Sequence, residues 1–273
     1  MEHLGIALVA LAYAVYLFVV AIVGRRKFGM RLRACKDTES RAAFYRRWAL
    51  RNFLRYGVPA LVGIILLGKL GTLWNSGHLL SNPIGLTGVA DRSTRLFFFL
   101  LAPYWIIVRV IQGQRSLKGV SRGKPKALAA LNRYSKRYPP DSSVGLMIPR
   151  NDTERRASLW LTLSAAISEE LFFRILIPAA LVIVLRYFFG NRLSSLDTAT
   201  MAFLLSIAVF GLMHAYQSWR GILGTMFLGA TFFSIYYFSG LIIASVIVHI
   251  TQDFSALYVR SKIFERAESY RIT

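Results

Sequence analysis

Six ionisable side chains lie inside apolar stretches of this sequence: Glu169, Glu170, Arg174, His214, His249 and Asp253. Placing such a group in a bilayer costs about 2.5–3.5 kcal/mol even on a lenient insertion scale, so a chain keeps it where it is paired or where it works. Glu170 and Arg174 are four residues apart and share a helix face, as an ion pair requires. Glu169 is rotated about 100° away and has no local partner. His249 and Asp253 are again four apart, and Phe210 stands four before His214, which puts its ring beside the imidazole. A carboxyl next to an imidazole can orient and deprotonate a water, and a second imidazole with a carboxyl or amide can stabilise an oxyanion. The same His and Glu side chains are acceptable zinc ligands. A chain of Glu, His and Asp also serves proton-coupled transport, and Glu170 with Arg174 is equally an ordinary structural ion pair. On the residues alone, catalysis, transport and a structural or binding role stay open.

Such groups meet only if separate membrane helices carry them. The chain has 273 residues, 55% of them hydrophobic, with a mean hydropathy of +0.46. Charged residues make up 17%, against roughly 25% in soluble domains. They sit in blocks between apolar stretches near the length of a bilayer crossing. The expected fold is therefore an all-α polytopic membrane bundle, and a soluble enzyme is disfavoured. Spans are expected at Leu4–Val23, Tyr56–Trp74, Leu96–Val110, across the tract Ala157–Gly190, up to His214, at Gly221–Phe238 and at Leu241–Val259. That makes about seven, or eight if Pro178 divides the long tract. No repeat or low-complexity stretch stands out. Pro139 and Pro140 mark a linker before the fourth span. The expected organisation is 1–156, with three spans and two basic loops, then a core at 157–259 and a basic tail at 260–273.

The net charge is +21, and 28 of the 34 Lys and Arg fall in the segments 24–55, 109–156, 216–220 and 260–273. Basic loops face the cytoplasm, so the amino terminus is expected outside and the carboxyl terminus inside the cell membrane. The same blocks would attract anionic lipid, and nucleic acid is not expected as a partner. Tyr45, Trp48, Phe53 and Tyr56 read as one face of an interfacial amphipathic helix. The single cysteine, Cys35, excludes an intrachain disulfide. At about 1.5 Å per residue, Glu169 lies roughly 18 Å into its span and His249 roughly 12 Å into an oppositely running one, which brings them to similar depth.

Three segments resemble the motifs of the CAAX protease and bacteriocin-processing (CPBP or Abi) family of membrane proteins. Glu169-Glu170-Leu171-Phe172-Phe173-Arg174 resembles its EExxxR motif, Phe210-Gly211-Leu212-Met213-His214 its FxxxH motif, and His249-Ile250-Thr251-Gln252-Asp253 its third motif. They occur in the family's order over residues 157–259. The resemblance implies an intramembrane endopeptidase of the type II CAAX prenyl endopeptidase kind, acting on a peptide or membrane-protein substrate. It implies that Glu169 and His214 activate the water, that His249 and Asp253 hold the oxyanion, and that Glu170, Arg174 and Phe210 support them. The family is often labelled a metalloprotease, which makes Glu169, His214 and His249 candidate zinc ligands; a metal-free glutamate mechanism is the alternative. Asp253 stands where the family commonly has Asn, and Ile175 where Gly is frequent. The alternative functions are a non-catalytic binding or bacteriocin-immunity protein, and a proton-coupled transporter.

Overall fold

The computed structural model describes residues 2–73, 92–121, 129, 143–190, 192–215 and 219–272, and among these every regular element is helical. In chain order they are α1 (Glu2–Ala34), α2 (Thr38–Asn52), α3 (Val58–Leu66), α4 (Arg92–Ser121), α5 (Asp152–Glu170), α6 (Ile177–Phe189), α7 (Ser195–Met213), α8 (Trp219–Ser239) and α9 (Ile242–Ile272). Five stretches are long and apolar enough to cross a membrane: His3–Val23, Thr38–Leu66, Asp152–Phe189, Trp219–Ser239 and Ile242–Lys262; Asp197–Met213 is a shorter apolar helix. The protein is a polytopic helical membrane bundle. The expected third span lies inside α4, whereas the Pro139-Pro140 linker falls outside the described residues.

Two boundaries differ from the sequence reading. The helix of the second crossing starts at Thr38, well before Tyr56, because α2 runs unbroken through Phe53–Gly57 into α3. Its face of Arg41, Ala42, Tyr45 and Ala49 is buried, so this side of the amphipathic segment packs in the bundle. The crossing ends at Leu66, where Gly68 takes a left-handed backbone (φ +64°) open to glycine, well short of Trp74. At the other end of the chain, α9 continues as helix through the expected polar tail to Ile272.

Polar N-caps set where the helices begin. The Asp37 carboxyl accepts the Ser40 N–H of α2 (2.7 Å), which holds it below the usual carboxylate range. The Asn151 side chain accepts the Glu154 N–H of α5 (3.0 Å), and Ser194 and Asp197 form a reciprocal capping box at α7.

Pro178 does not divide the long tract. It sits just after a widened π turn at Leu171–Leu176 that joins α5 to α6, and Pro59 sits in the same place after a π turn at Phe53–Gly57. In each turn the bond spans five residues: Val58 N–H donates to Phe53 O, and Ile177 N–H to Phe172 O. A proline supplies no N–H, so a carbonyl behind it loses its donor. Inside a membrane that carbonyl needs another. Tyr13 Oη of α1 donates to Arg55 O (2.9 Å), and Ser206 Oγ of α7 donates to Phe173 O (2.5 Å).

The two proline-bearing helices run side by side and parallel. Asn151 Nδ2 donates to Thr38 Oγ1 (2.8 Å), Arg41 Nε to Glu154 Oε2 (3.0 Å) and Ser164 Oγ to Ala49 O (2.5 Å). Gly57 lies against Ser168 Oγ and Gly63 against Leu176, so any side chain at these glycines would collide with the partner helix. Both charged groups of the Arg41–Glu154 pair are buried. The Arg41 guanidinium also donates to Leu146 O (3.0 Å), and Tyr45 Oη to Met147 O (3.1 Å). Arg41→Ala is expected to destabilise the protein by about 3–5 kcal/mol, since Glu154 is left buried without its counter-charge, whereas the double change Arg41→Met with Glu154→Leu should cost far less. Thermal unfolding in detergent checks the difference. Arg155 closes the same end of the bundle through Ser261 (2.8 Å) and Glu265 (3.0 Å) of α9.

Candidate active site

The site forms where the end of α5, the π turn, α7, α8 and α9 meet. The π turn stacks Phe172 and Phe173 against each other (5.0 Å between ring centroids), and Phe173 against Phe210 of α7 (5.1 Å). This aromatic packing fixes the backbone that carries Glu169, Glu170 and Arg174.

Glu170 is fully buried. Its Oε1 lies 2.8 Å from His249 Nδ1 and 3.3 Å from Arg174 Nη2, and its Oε2 accepts the hydroxyl of Ser245. The four-residue spacing of Glu170 and Arg174 thus does produce an ion pair, with His249 and Ser245 added to it from α9. The Arg174 guanidinium lies over the Phe210 ring (4.4 Å) and near that of Phe232 (5.9 Å), a cation–π arrangement that offsets burial of the charge.

The contact with Glu170 orients His249. A carboxylate can only accept, so Nδ1 carries a proton and Nε2 is the nitrogen turned to the rest of the site. Phe232 of α8 stacks on the imidazole (4.8 Å, 29°) and Phe210 meets it edge-on (6.4 Å, 88°), which fixes the ring plane. On the Nε2 side, Glu169 Oε2 is 3.9 Å away and Asp253 Oδ2 is 3.4 Å away. The local pairing of His249 with Asp253 therefore holds, and Glu169, unpaired along its own helix, turns to the same nitrogen.

His214 caps the end of α7 and is half-buried. Its Nδ1 donates to Phe210 O (2.8 Å), its ring packs on Phe210 (4.8 Å), and it acts on the charges of both Glu169 and Asp253.

Exposure divides the cluster into two sides. Glu170, Arg174 and His249 have side chains 0–4% exposed, whereas Glu169 is 17% and Asp253 44% exposed. One side is a sealed support, and the other is where a water or a peptide reaches the groups. Among the described residues no three His, Cys, Asp or Glu side chains are arranged to hold a metal ion. Glu169, His214 and His249 as placed do not fit a zinc site, so the chemistry below is derived from the side chains alone.

Sequence reading missed Ser245 and Phe232. A serine or a phenylalanine in an apolar helix carries no signature, although Ser245 does stand four before His249, on its face. The Ser245 hydroxyl sits between Glu170 Oε2 and Phe232 O (3.0 Å) and so ties α8 to the buried carboxylate. Ser245→Ala is expected to cost about 1.5–3 kcal/mol of stability, as for a lost bond to a charged group. Ser245→Thr, which keeps the hydroxyl, should recover most of it in the same unfolding assay.

Fold and site together define a polytopic helical membrane protein with a carboxylate–imidazole centre inside its helices. Within it, residues 155–255 are similar to a family model described as type II CAAX prenyl endopeptidase Rce1-like. The match takes in α5 almost entire, α6, α7, α8 and α9 as far as Ser255, with all three motifs inside it. No curated protein and no solved structure matches the chain.

Proposed function

We propose that the protein is an intramembrane endopeptidase that uses Glu169 to activate water, with a peptide or a segment of a membrane protein as substrate. What supports this is the orientation of His249: buried Glu170 fixes Nδ1, and Nε2 turns toward Glu169 and Asp253 on the accessible side. Glu169, assisted by His214, takes a proton as the water oxygen attacks the scissile carbonyl carbon. The oxygen of that carbonyl becomes an oxyanion and accepts a hydrogen bond from Nε2–H of His249, which is in its imidazolium form between the Glu170 and Asp253 carboxylates. Asp253 acts through His249 and not on the oxyanion, which a carboxylate would repel. When the intermediate collapses, the C–N bond breaks and the proton held by Glu169 passes to the leaving amine. Acid–base catalysis of this kind contributes on the order of 10²–10⁴-fold, and donors aimed at an oxyanion a comparable factor. The amino terminus is assigned outside and the carboxyl terminus inside the cell on the distribution of basic residues.

The test is a comparison of membrane proteomes from cells carrying the intact protein and cells carrying Glu169→Gln at equal abundance. Fragments present only with the intact protein support the assignment. Identical fragment profiles, or a solute flux driven by the proton gradient, count against it.

A further inference from the structure

The basic residues of α2 and of the π turn after it divide by what they face. Arg41 is buried and consumed by Glu154. Arg46, Arg47, Arg51 and Arg55 are exposed, and none has an ion-pair partner among the described residues. Arg47, Arg51 and Arg55 follow one another at four-residue spacing, so each stands beside the next on the helix surface. Like charges so placed repel, and an anion between them removes that cost.

Beside this ladder runs a second. Leu50, Leu54, Val58, Val62 and Leu66 also recur every four residues and are all exposed, on a helix that continues from α2 through the π turn into α3. The opposite face packs on α5 and the π turn at Leu171–Leu176, so the two ladders face outward, where a membrane protein meets lipid. From Leu54 to Leu66 is twelve residues, or about 18 Å along the axis. That is slightly more than one leaflet, about half of a hydrocarbon core roughly 30 Å thick. The arginines stand on the same helix, before and at the start of this apolar ladder, where its leaflet meets the headgroups.

We infer that α2 and α3 form a binding site for an anionic phospholipid. Its phosphate would lie on Arg47, Arg51 and Arg55, and its acyl chains along Leu54, Val58, Val62 and Leu66. A soluble polyanion or an acidic peptide would use the arginines but not the apolar ladder that continues from them, which favours lipid. The site is separate from the carboxylate–imidazole centre and independent of the proposed peptidase activity.

Lipid retention by the purified full-length protein tests this directly. After exchange into equimolar phosphatidylglycerol and phosphatidylcholine, native mass spectrometry should show phosphatidylglycerol held preferentially. The triple change R47Q/R51Q/R55Q should weaken retention by about tenfold or more, given the attraction of each basic residue for an anionic surface. The corresponding triple lysine variant should keep most of it, and Arg192→Gln, exposed elsewhere, should change nothing. Val58→Ser with Val62→Ser should shorten retention with the arginines intact. Equal retention of the two lipids, or unchanged phosphatidylglycerol binding in the triple glutamine variant with its helix content intact, overturns the proposal. So does a soluble polyanion such as heparin displacing the lipid fully from the intact protein.

Discussion

Glu169→Ala is expected to lower turnover of a cleaved peptide by about 10²–10⁴-fold, the range for loss of a positioned general base, while leaving the protein folded. The second half of that expectation comes from its surroundings. Glu169 is 17% exposed, its nearest recorded charged partner is His249 Nε2 at 3.9 Å, and that ring is already held by Glu170 from the other side. Removing the Glu169 carboxyl therefore strands no buried charge. Unfolding midpoints of the two proteins should agree closely, and the decisive measurement is cleavage by matched amounts of folded protein. Retained turnover would transfer the role of base to another group, Asp253 being the other carboxyl on that side. Turnover measured with and without a chelator reports metal dependence separately.

The neighbouring carboxylate behaves in the opposite way. Glu170→Ala is expected to destabilise the protein by about 3–5 kcal/mol, the scale for breaking a buried ion pair. It leaves Arg174 buried without its counter-charge, His249 Nδ1 without an acceptor and Ser245 with only a backbone carbonyl to bond. Glu170→Gln is the informative partner. It keeps an oxygen for His249 and the size of the side chain but gives up the charge opposite Arg174, so it should recover part of the stability and little of the turnover. Two adjacent glutamates would then separate cleanly, one changing the rate alone and the other folding as well as rate. If Glu170→Ala unfolds no more easily than Glu169→Ala, the division into a buried support and an open reactive side is wrong.

Much of this centre is legible in the sequence because its pairs are local. The spacing of Glu170 and Arg174, of His249 and Asp253, and of Phe210 and His214 is one helical turn, and each pair meets as that spacing requires. What the sequence hides depends on how helices rotate against one another. The bond from Glu170 to His249 crosses from α5 to α9, 79 residues away, and nothing in either segment announces it. Glu170 read as the ion-pair partner of Arg174; the structure gives it the further task of orienting an imidazole. Tyr45 and Arg41, taken as part of a basic interfacial stretch, are core residues because α2 has a parallel partner in α5. The π turns escaped notice because a pattern of apolar residues is blind to one extra residue per turn, although Pro59 and Pro178 stand where such turns are useful.

The prolines and the hydroxyls that compensate for them have become dependent on each other. Losing Ser206 would strand the Phe173 carbonyl, and losing Pro178 would present that carbonyl region with a donor too many. Neither loss alone restores an ordinary helix, so a regular α-helix here lies at least two substitutions away, with a poorer intermediate between. The π turn next to the two glutamates is thereby fixed by a ratchet, and drift can rework the surrounding apolar residues long before it reaches the turn that carries Arg174.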